Sequence, residues 1–339
     1  SNINATTEAK RNSSNVPVSA SASASYLLIN AKGSSWTSTY RVYLGGMTNA
    51  ATPVVDLTNF NVYRNLNYKC TITLGANGGN GDARVTYTAT ISSGRSNMYM
   101  GDATVGNYLY ADGSNGATFK SGQTVGIIFS SELTQNQYNA GCRHGRAIAL
   151  KDAYNGTRAW SSNSAPNNSP YLNQTVHPYC QAFSTCFNDV SSGYDASSSA
   201  FASLSSNPAW SDCKNYSDGT TKSFTNSGWY LPSAGDWWDI MENLCTWTES
   251  DMTTIKAKRA TSSGMGTIIS KSGYYSTFDT KLSAGGAGSP LNHNNYYWSA
   301  SEHDRYTAVV VSFSSSYVNV VNGGKAGSNY SYVRAVLAY

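Results

Sequence analysis

The sequence predicts an α+β protein: an N-terminal β-sandwich domain, residues 1–80, precedes a larger mixed domain, residues 81–339. Three observations predict it. Short segments rich in strand-forming residues recur between Tyr26 and Leu74, and the last, Tyr68–Leu74, alternates with period two as a half-buried strand does. Gly75–Asp82 is rich in glycine and asparagine and reads as a flexible linker, which sets the boundary near residue 80 or as far on as about residue 100. Further on, Gly228-Trp229-Tyr230-Leu231-Pro232-Ser233 reads as a strand that turns directly into a helix.

Taken in order, residues 1–24 are rich in Ser, Ala and Asn and read as a mobile start. Lys10-Arg11 within them is an exposed basic pair, a solvated tail or a processing site. Tyr26–Ile29, Thr39–Leu44, Asn61–Asn65 and Tyr68–Leu74 are the expected strands of the first domain, about half of a sandwich. Gly106–Tyr110, Val125–Phe129 and Gly145–Leu150 read as core strands of the second. Residues 154–225 are Ser/Asn-rich, with one helix expected near Ala196–Leu204. Pro232 cannot supply a ladder N–H, so the strand before it stops there. Ser233 is placed to cap the helix, and the Asp236 carboxylate to answer its free N–H groups. Trp237, Ile240, Met241, Leu244 and Cys245 then fall on one helical face. Trp238 falls off that face and is expected at the periphery. Residues 260–295 form a long Gly/Ser/Tyr stretch that reads as loop.

Composition narrows the function classes. Charged residues are only 12% of the chain, about half the usual share. Ser, Asn, Thr, Gly and Tyr take their place, as in exported β-rich proteins. The net charge of +4 is unclustered, so nucleic acid is not an expected partner. No run is apolar and long enough for a direct membrane span, and none reads as a signal peptide. Of the six cysteines, Cys70 and Cys245 read as small core residues. For Cys142, Cys180, Cys186 and Cys213 two readings stand, free buried thiols or one or two bridges. No C-x-x-C spacing occurs, and Asn188, Asp189 and Asp195 read as Asx turns, so no metal and no cofactor is expected.

Two resemblances add to this. Tyr40–Gly45 with Asn59–Asn65 and Tyr68 resembles the last strands of fimbrillins, the transthyretin-like pilins of Bacteroides-type bacteria. The Gly-Trp-x-Leu-Pro-Ser motif at Gly228, Tyr297–Glu302 and Tyr332-Val333-Arg334 together resemble bacterial C-type-lectin-like domains, relatives of the formylglycine-generating-enzyme fold. The resemblances imply a transthyretin-like or Ig-like sandwich followed by a C-type-lectin-like domain. They also imply a fimbrial adhesin at the cell surface, exported and outer-membrane associated, with other pilus subunits as partners. Oxidase relatives of that fold use a cysteine pair near the C-terminus, and nothing after Cys245 matches it. His144, His177, His293 and His303 sit in no nucleophile motif, so an enzyme is not expected. Glu302 and Arg334 are expected to pair across adjacent strands.

The expected ligand surface follows Glu302. It comprises His303, Asp304, Arg305, Tyr306, Val310, Ser312, Ser314, Ser315, Ser316, Tyr317, Asn319, Val321 and Asn322. Tyr supplies rigid amphipathic area and the small polar residues adapt, as in antibody paratopes. Every residue from His303 to Gly324 belongs to the set that randomised Asn codons can encode; Glu, Gln, Lys, Met and Trp are absent there. In this the run resembles the variable segment of retroelement-diversified surface proteins, with Lys325 a fixed position. The ligand expected is a host or bacterial cell-surface protein or glycan. A shaft pilin is the rival reading, and the stretch 274–295 with Tyr274, Tyr275 and His293 is the alternative ligand site.

Overall fold

The computed structural model describes residues 98–161, 172–197, 206–325 and 330–339; among the first 97 residues it describes the backbone of six short strands, together with Leu44 and Gly45. Two compact units divide between Asn97 and Met98. In the first, β1 (Lys10–Arg11) pairs with β2 (Pro17–Ser19), β3 (Tyr26–Lys32) with β4 (Thr37–Tyr43), and β5 (Lys69–Thr73) with β6 (Thr86–Thr90), all antiparallel. The β3–β4 ladder runs without a bulge from Tyr26↔Tyr43 to Lys32↔Thr37. The strand expected at Asn61–Asn65 and the side chain of Cys70 lie outside the described residues. Gly75–Asp82 lies between β5 and β6, which pair, so it connects a hairpin and the units divide after it. The division after Asn97 falls within the expected range, which reaches to about residue 100.

The second unit runs β7 (Tyr99–Met100), β8 (Tyr108–Tyr110), β9 (Asn115–Gly116), β10 (Thr124–Ser130), β11 (Glu132–Leu133), α1 (Gln135–Asn139), β12 (Arg146–Ala149), β13 (Arg158–Ala159), α2 (Phe183–Asn188), α3 (Ser192–Ser197) and α4 (Pro208–Lys214). It continues with α5 (Ala234–Leu244), α6 (Glu249–Arg259), β14 (Gly266–Ser270), α7 (Ser276–Leu282), β15 (Tyr297–Glu302), β16 (Thr307–Phe313), β17 (Tyr317–Gly324), β18 (Tyr330–Ser331) and β19 (Val336–Ala338). One sheet has the order β19-β12-β10-β8-β9 and a second β14-β17-β16-β15. In the polar stretch 154–225 the described helices are α2, α3 and α4, while most of the helix expected near Ala196–Leu204 lies outside the described residues; the stretch 260–295 holds β14 and α7. Elements of five to seven residues are too short to show a helical period, so the sequence could not announce them.

Helix α5 is the centrepiece. Ser233 Oγ accepts from the Asp236 N–H at 3.1 Å, and Asp236 Oδ2 accepts from the Ser233 N–H at 2.9 Å, a complete capping box. Aspartate serves here because its other oxygen meets Arg146, which also donates to Asp239 at 2.7 Å; Arg146 and Asp236 are fully buried. Burial pushes the Asp236 carboxyl up, opposed by Arg146 and Ser233. Gly235 is required because the Asp189 carbonyl would lie 2.5 Å from a Cβ there.

Trp237 packs on Tyr297 and Phe313, with ring centroids 5.2 and 5.7 Å away, and donates to the Trp298 carbonyl at 3.0 Å. Trp238 is not peripheral: it is 2% exposed, held edge-on by Phe183 and Phe187 of α2. The helical wheel misses this because α2 covers a second face of α5. Helix α5 ends at Leu244, so Cys245 is its C-cap, half-buried and packed against the same core. Cys142, Cys180, Cys186 and Cys213 are buried free thiols.

Candidate functional site

The expected ligand run is built on the antiparallel meander β15-β16-β17. Its alternation decides which residues are available. Val309, Val311 and Phe313 of β16, with Val318 and Val320 of β17, join the Trp237 core. Ala308 and Val310 point the other way, into a second core around Trp160, Trp298 and Val333. Val310 (3% exposed) and Ser312 (5%) are thus corrections to the expected surface: strand alternation gives each residue a face, but the other face is covered too.

The two ends of the run are locked. Glu302, just before it, ion-pairs with Lys325, just after it, and both are buried. Glu302 Oε2 also accepts from the Leu172 N–H at 3.0 Å and from Gln174 Nε2 at 3.1 Å. Lys325 Nζ donates to the Asp304 carbonyl at 2.7 Å. Burial lowers the pKa of this ammonium, and the Glu302 carboxylate works against that. The expected pairing of Glu302 with Arg334 does not occur. Arg334 binds Asp152 at 2.7 Å and donates to the carbonyls of Ser289 and Pro290 at 3.1 and 3.3 Å. These partners come from two remote loops, which motif position cannot reveal.

Between the locks, two separate patches emerge. At one end, Asp304 Oδ1 accepts from the N–H groups of Tyr306 and Thr307, each at 2.7 Å, closing a tight turn. His303 Nδ1 lies 3.0 Å from Thr307 Oγ1. Burial would raise the Asp304 carboxyl, but the hydrogen bonds from Tyr306 and Thr307 hold it below its ordinary value. The turn exposes Arg305 and Tyr306, with the guanidinium 4.4 Å over the ring and Tyr306 43% exposed. Exposed Asn322, opposite Val309, lies toward this end, and half-buried Val321 pairs with Val310 beside it.

At the other end, Ser315 and Ser316 are exposed in the β16–β17 turn, with Ser314 and Tyr317 half-buried. Tyr274 Oη donates to the carbonyls of Ser314 and Tyr317 at 2.9 and 3.0 Å. Asn319 accepts from Thr267 at 2.7 Å. The seven residues of β16 hold the two patches about 20 Å apart. The expected residues therefore do not converge on one site.

Sequence reasoning missed residues 172–180. Besides the two bonds to the Glu302 carboxylate, the Cys180 N–H donates to the Glu302 carbonyl at 2.8 Å. This loop exposes Val176 (60%) and sets Tyr179 close enough to Glu302 and Asp304 that, after burial, they raise its pKa. No periodicity marks it; its long-range bonds place it. The alternative site is structural: Tyr274 is 1% exposed, and His293 stacks on Tyr275 at 3.7 Å between Asp279 and the Phe313 carbonyl. Among the described residues no group of His, Cys, Asp and Glu is placed to hold a metal ion, and no helix is long and apolar enough to cross a membrane.

Comparison with known proteins adds two likenesses. A family model described as a domain of unknown function, DUF4906, matches residues 1–72. A crystal structure of a fimbrial protein from Bacteroides ovatus ATCC 8483 is similar at 17% identity and a TM-score of 0.46. That match covers 70% of this chain and 49% of the other, so it spans about half the length of the fimbrial protein. No curated protein matches.

Proposed function

We propose that this chain is a non-catalytic surface adhesin, a pilus-tip subunit whose second, C-type-lectin-like unit binds a cell-surface protein or glycan. The contact surface in this reading is the turn Asp304–Tyr306 with His303 and Asn322, bordered by Val176 and Tyr179. The observation that carries it is the buried Glu302–Lys325 pair, which brackets the run His303–Gly324. Exposed residues between the two locks can change without disturbing the core, as the resemblance to diversified surface proteins would require. The buried valines and Phe313 belong to the framework. The paired Arg305 and Tyr306 are the residue types that most often dominate binding energy. The fimbrillin and lectin motifs of the sequence support the pilus setting. β19 is bonded to β12 and bridged to Tyr230, so that strand itself is committed within this unit.

The test is Arg305→Ala with Tyr306→Ala in one chain, followed by melting and by binding to host-cell glycans and surface proteins. Melting should hold, and binding should fall by about 2 kcal/mol or more. Retained fold with undiminished binding places the ligand elsewhere.

A further inference from the structure

A cavity lies away from the run 303–324. It holds about 200 Å³ at one end of the five-stranded sheet, beside the start of β10 and the residues that follow β12. Pockets for drug-sized ligands hold roughly 300–1,000 Å³, so this one suits a single small ring. Its lining includes two half-buried aromatic side chains, Phe119 and Tyr216. Tyr216 is set edge-on against Trp229 at 5.1 Å. The rest of the wall is mixed: Val125, Leu150 and Ala287 are apolar, and Thr124, Asp218 and Thr220 are polar. Thr220 closes a turn in which Asp218 Oδ1 accepts from its N–H at 2.8 Å. The main chain at Gly122 and Gly219 also lines the cavity, with no heavy atom near the place of a Cβ at either.

The charge at the site is one-sided. Asp218 is neutralised in place: its Oδ2 meets Lys222 Nζ at 2.5 Å and Trp229 Nε1 at 3.1 Å. Lys151 at the rim is exposed, and among the described residues no carboxylate pairs with its ammonium. A small cavity with aromatic walls, hydroxyl and main-chain polar groups, and one unopposed cation matches a small amphipathic ring with an anionic substituent.

The geometry points to a binding site for one carboxylate-bearing sugar ring, held between Phe119 and Tyr216 with its carboxylate on Lys151. Saturation-transfer NMR on the full chain tests this with glucuronate, glucose and acetate as probes. Glucuronate should receive saturation, and glucose and acetate should bind about tenfold more weakly or worse. Lys151→Ala, an exposed change, should bring glucuronate down to the level of glucose. Phe119→Ala should weaken glucuronate and glucose alike. The double Arg305→Ala, Tyr306→Ala variant should bind glucuronate normally, whatever becomes of the proposed adhesin surface. The inference is overturned if glucuronate receives no saturation, if Lys151→Ala leaves it unchanged, or if the Arg305/Tyr306 variant abolishes it.

Discussion

Replacing Lys325 by Met would remove the cation from the buried Glu302 carboxylate while the Leu172 N–H and Gln174 Nε2 still donate to it. Removing one partner of a buried pair costs about 3–5 kcal/mol, because the remaining charge is neither solvated nor paired. Glu302→Gln should cost less, about 1.5–3 kcal/mol. The stranded ammonium still has the Asp304 carbonyl, and burial already favours its neutral form. The double variant should destabilise by less than the sum of the two, with a coupling of roughly 0.5–3 kcal/mol. Urea unfolding followed by tryptophan fluorescence reads this out, since every tryptophan but Trp36 lies beyond Met98. Single-variant losses under about 1 kcal/mol, the range of solvated surface pairs, would refute the buried lock. Additive losses would show that the two residues act separately. Either result would remove the reason for treating the intervening run as mechanically isolated from the core.

Trp237→Ala and Trp238→Ala should each cost about 3–5 kcal/mol by thermal or urea unfolding, since both rings are buried. Trp238→Phe should keep most of that stability, because the Trp238 indole N–H has no hydrogen-bond partner among the described residues. For His293, burial favours the neutral ring, but hydrogen bonds to Asp279 and the Phe313 carbonyl outweigh it and raise its pKa. A raised folded-state pKa contributes stability fully below the unfolded value of about 6.5 and loses it as pH climbs through the folded value. Unfolding free energy measured from pH 5 to 9 should therefore carry a declining component above pH 6.5 that His293→Gln abolishes; an unchanged slope in the variant would contradict it.

What the sequence shows and what it hides divide along physical lines. The capping box at Ser233–Asp236 and the buried face of Trp237 are local, set by three- and four-residue spacings, and they are legible. The same holds for β5, whose alternation is written in adjacent residues, and for the short runs of strand-forming residues in β3 and β4. Illegible features depend on partners far along the chain. Trp238 is buried by α2, and Arg146 finds Asp236 across ninety positions of sequence. Arg334 reaches Asp152 instead of Glu302, and Lys325 takes Glu302. In each case the residue type signalled a partner, but nothing local named it. The proposed site reads in the sequence as a stretch and not as a shape. Residue types marked the run 303–322, but only the meander shows that β16 separates its two ends.

Of those two ends, the His303–Tyr306 turn is the one we propose as the ligand surface, for reasons of backbone and side chain together. At the Ser314–Tyr317 turn, the Tyr274 hydroxyl binds the carbonyls of Ser314 and Tyr317, and the Lys271 N–H binds that of Ser316 at 2.8 Å. Those main-chain acceptors serve to tie β14 and the segment before α7 to the sheet. The fully exposed side chains there are serines, which offer little area. At the other turn the carboxylate of Asp304 satisfies the backbone from within, so Arg305 and Tyr306 project with no structural duty. The Lys325 N–H on the Tyr306 carbonyl, at 3.0 Å, fixes the main chain beneath them. A rigid turn loses little entropy when a partner docks, and an Arg already stacked on Tyr is partly pre-ordered. The loop 172–180, fastened to Glu302 at three points, extends that rigid platform to Val176 and Tyr179. Recognition concentrated there needs no movement of the fold, which is the condition under which its side chains are free to differ.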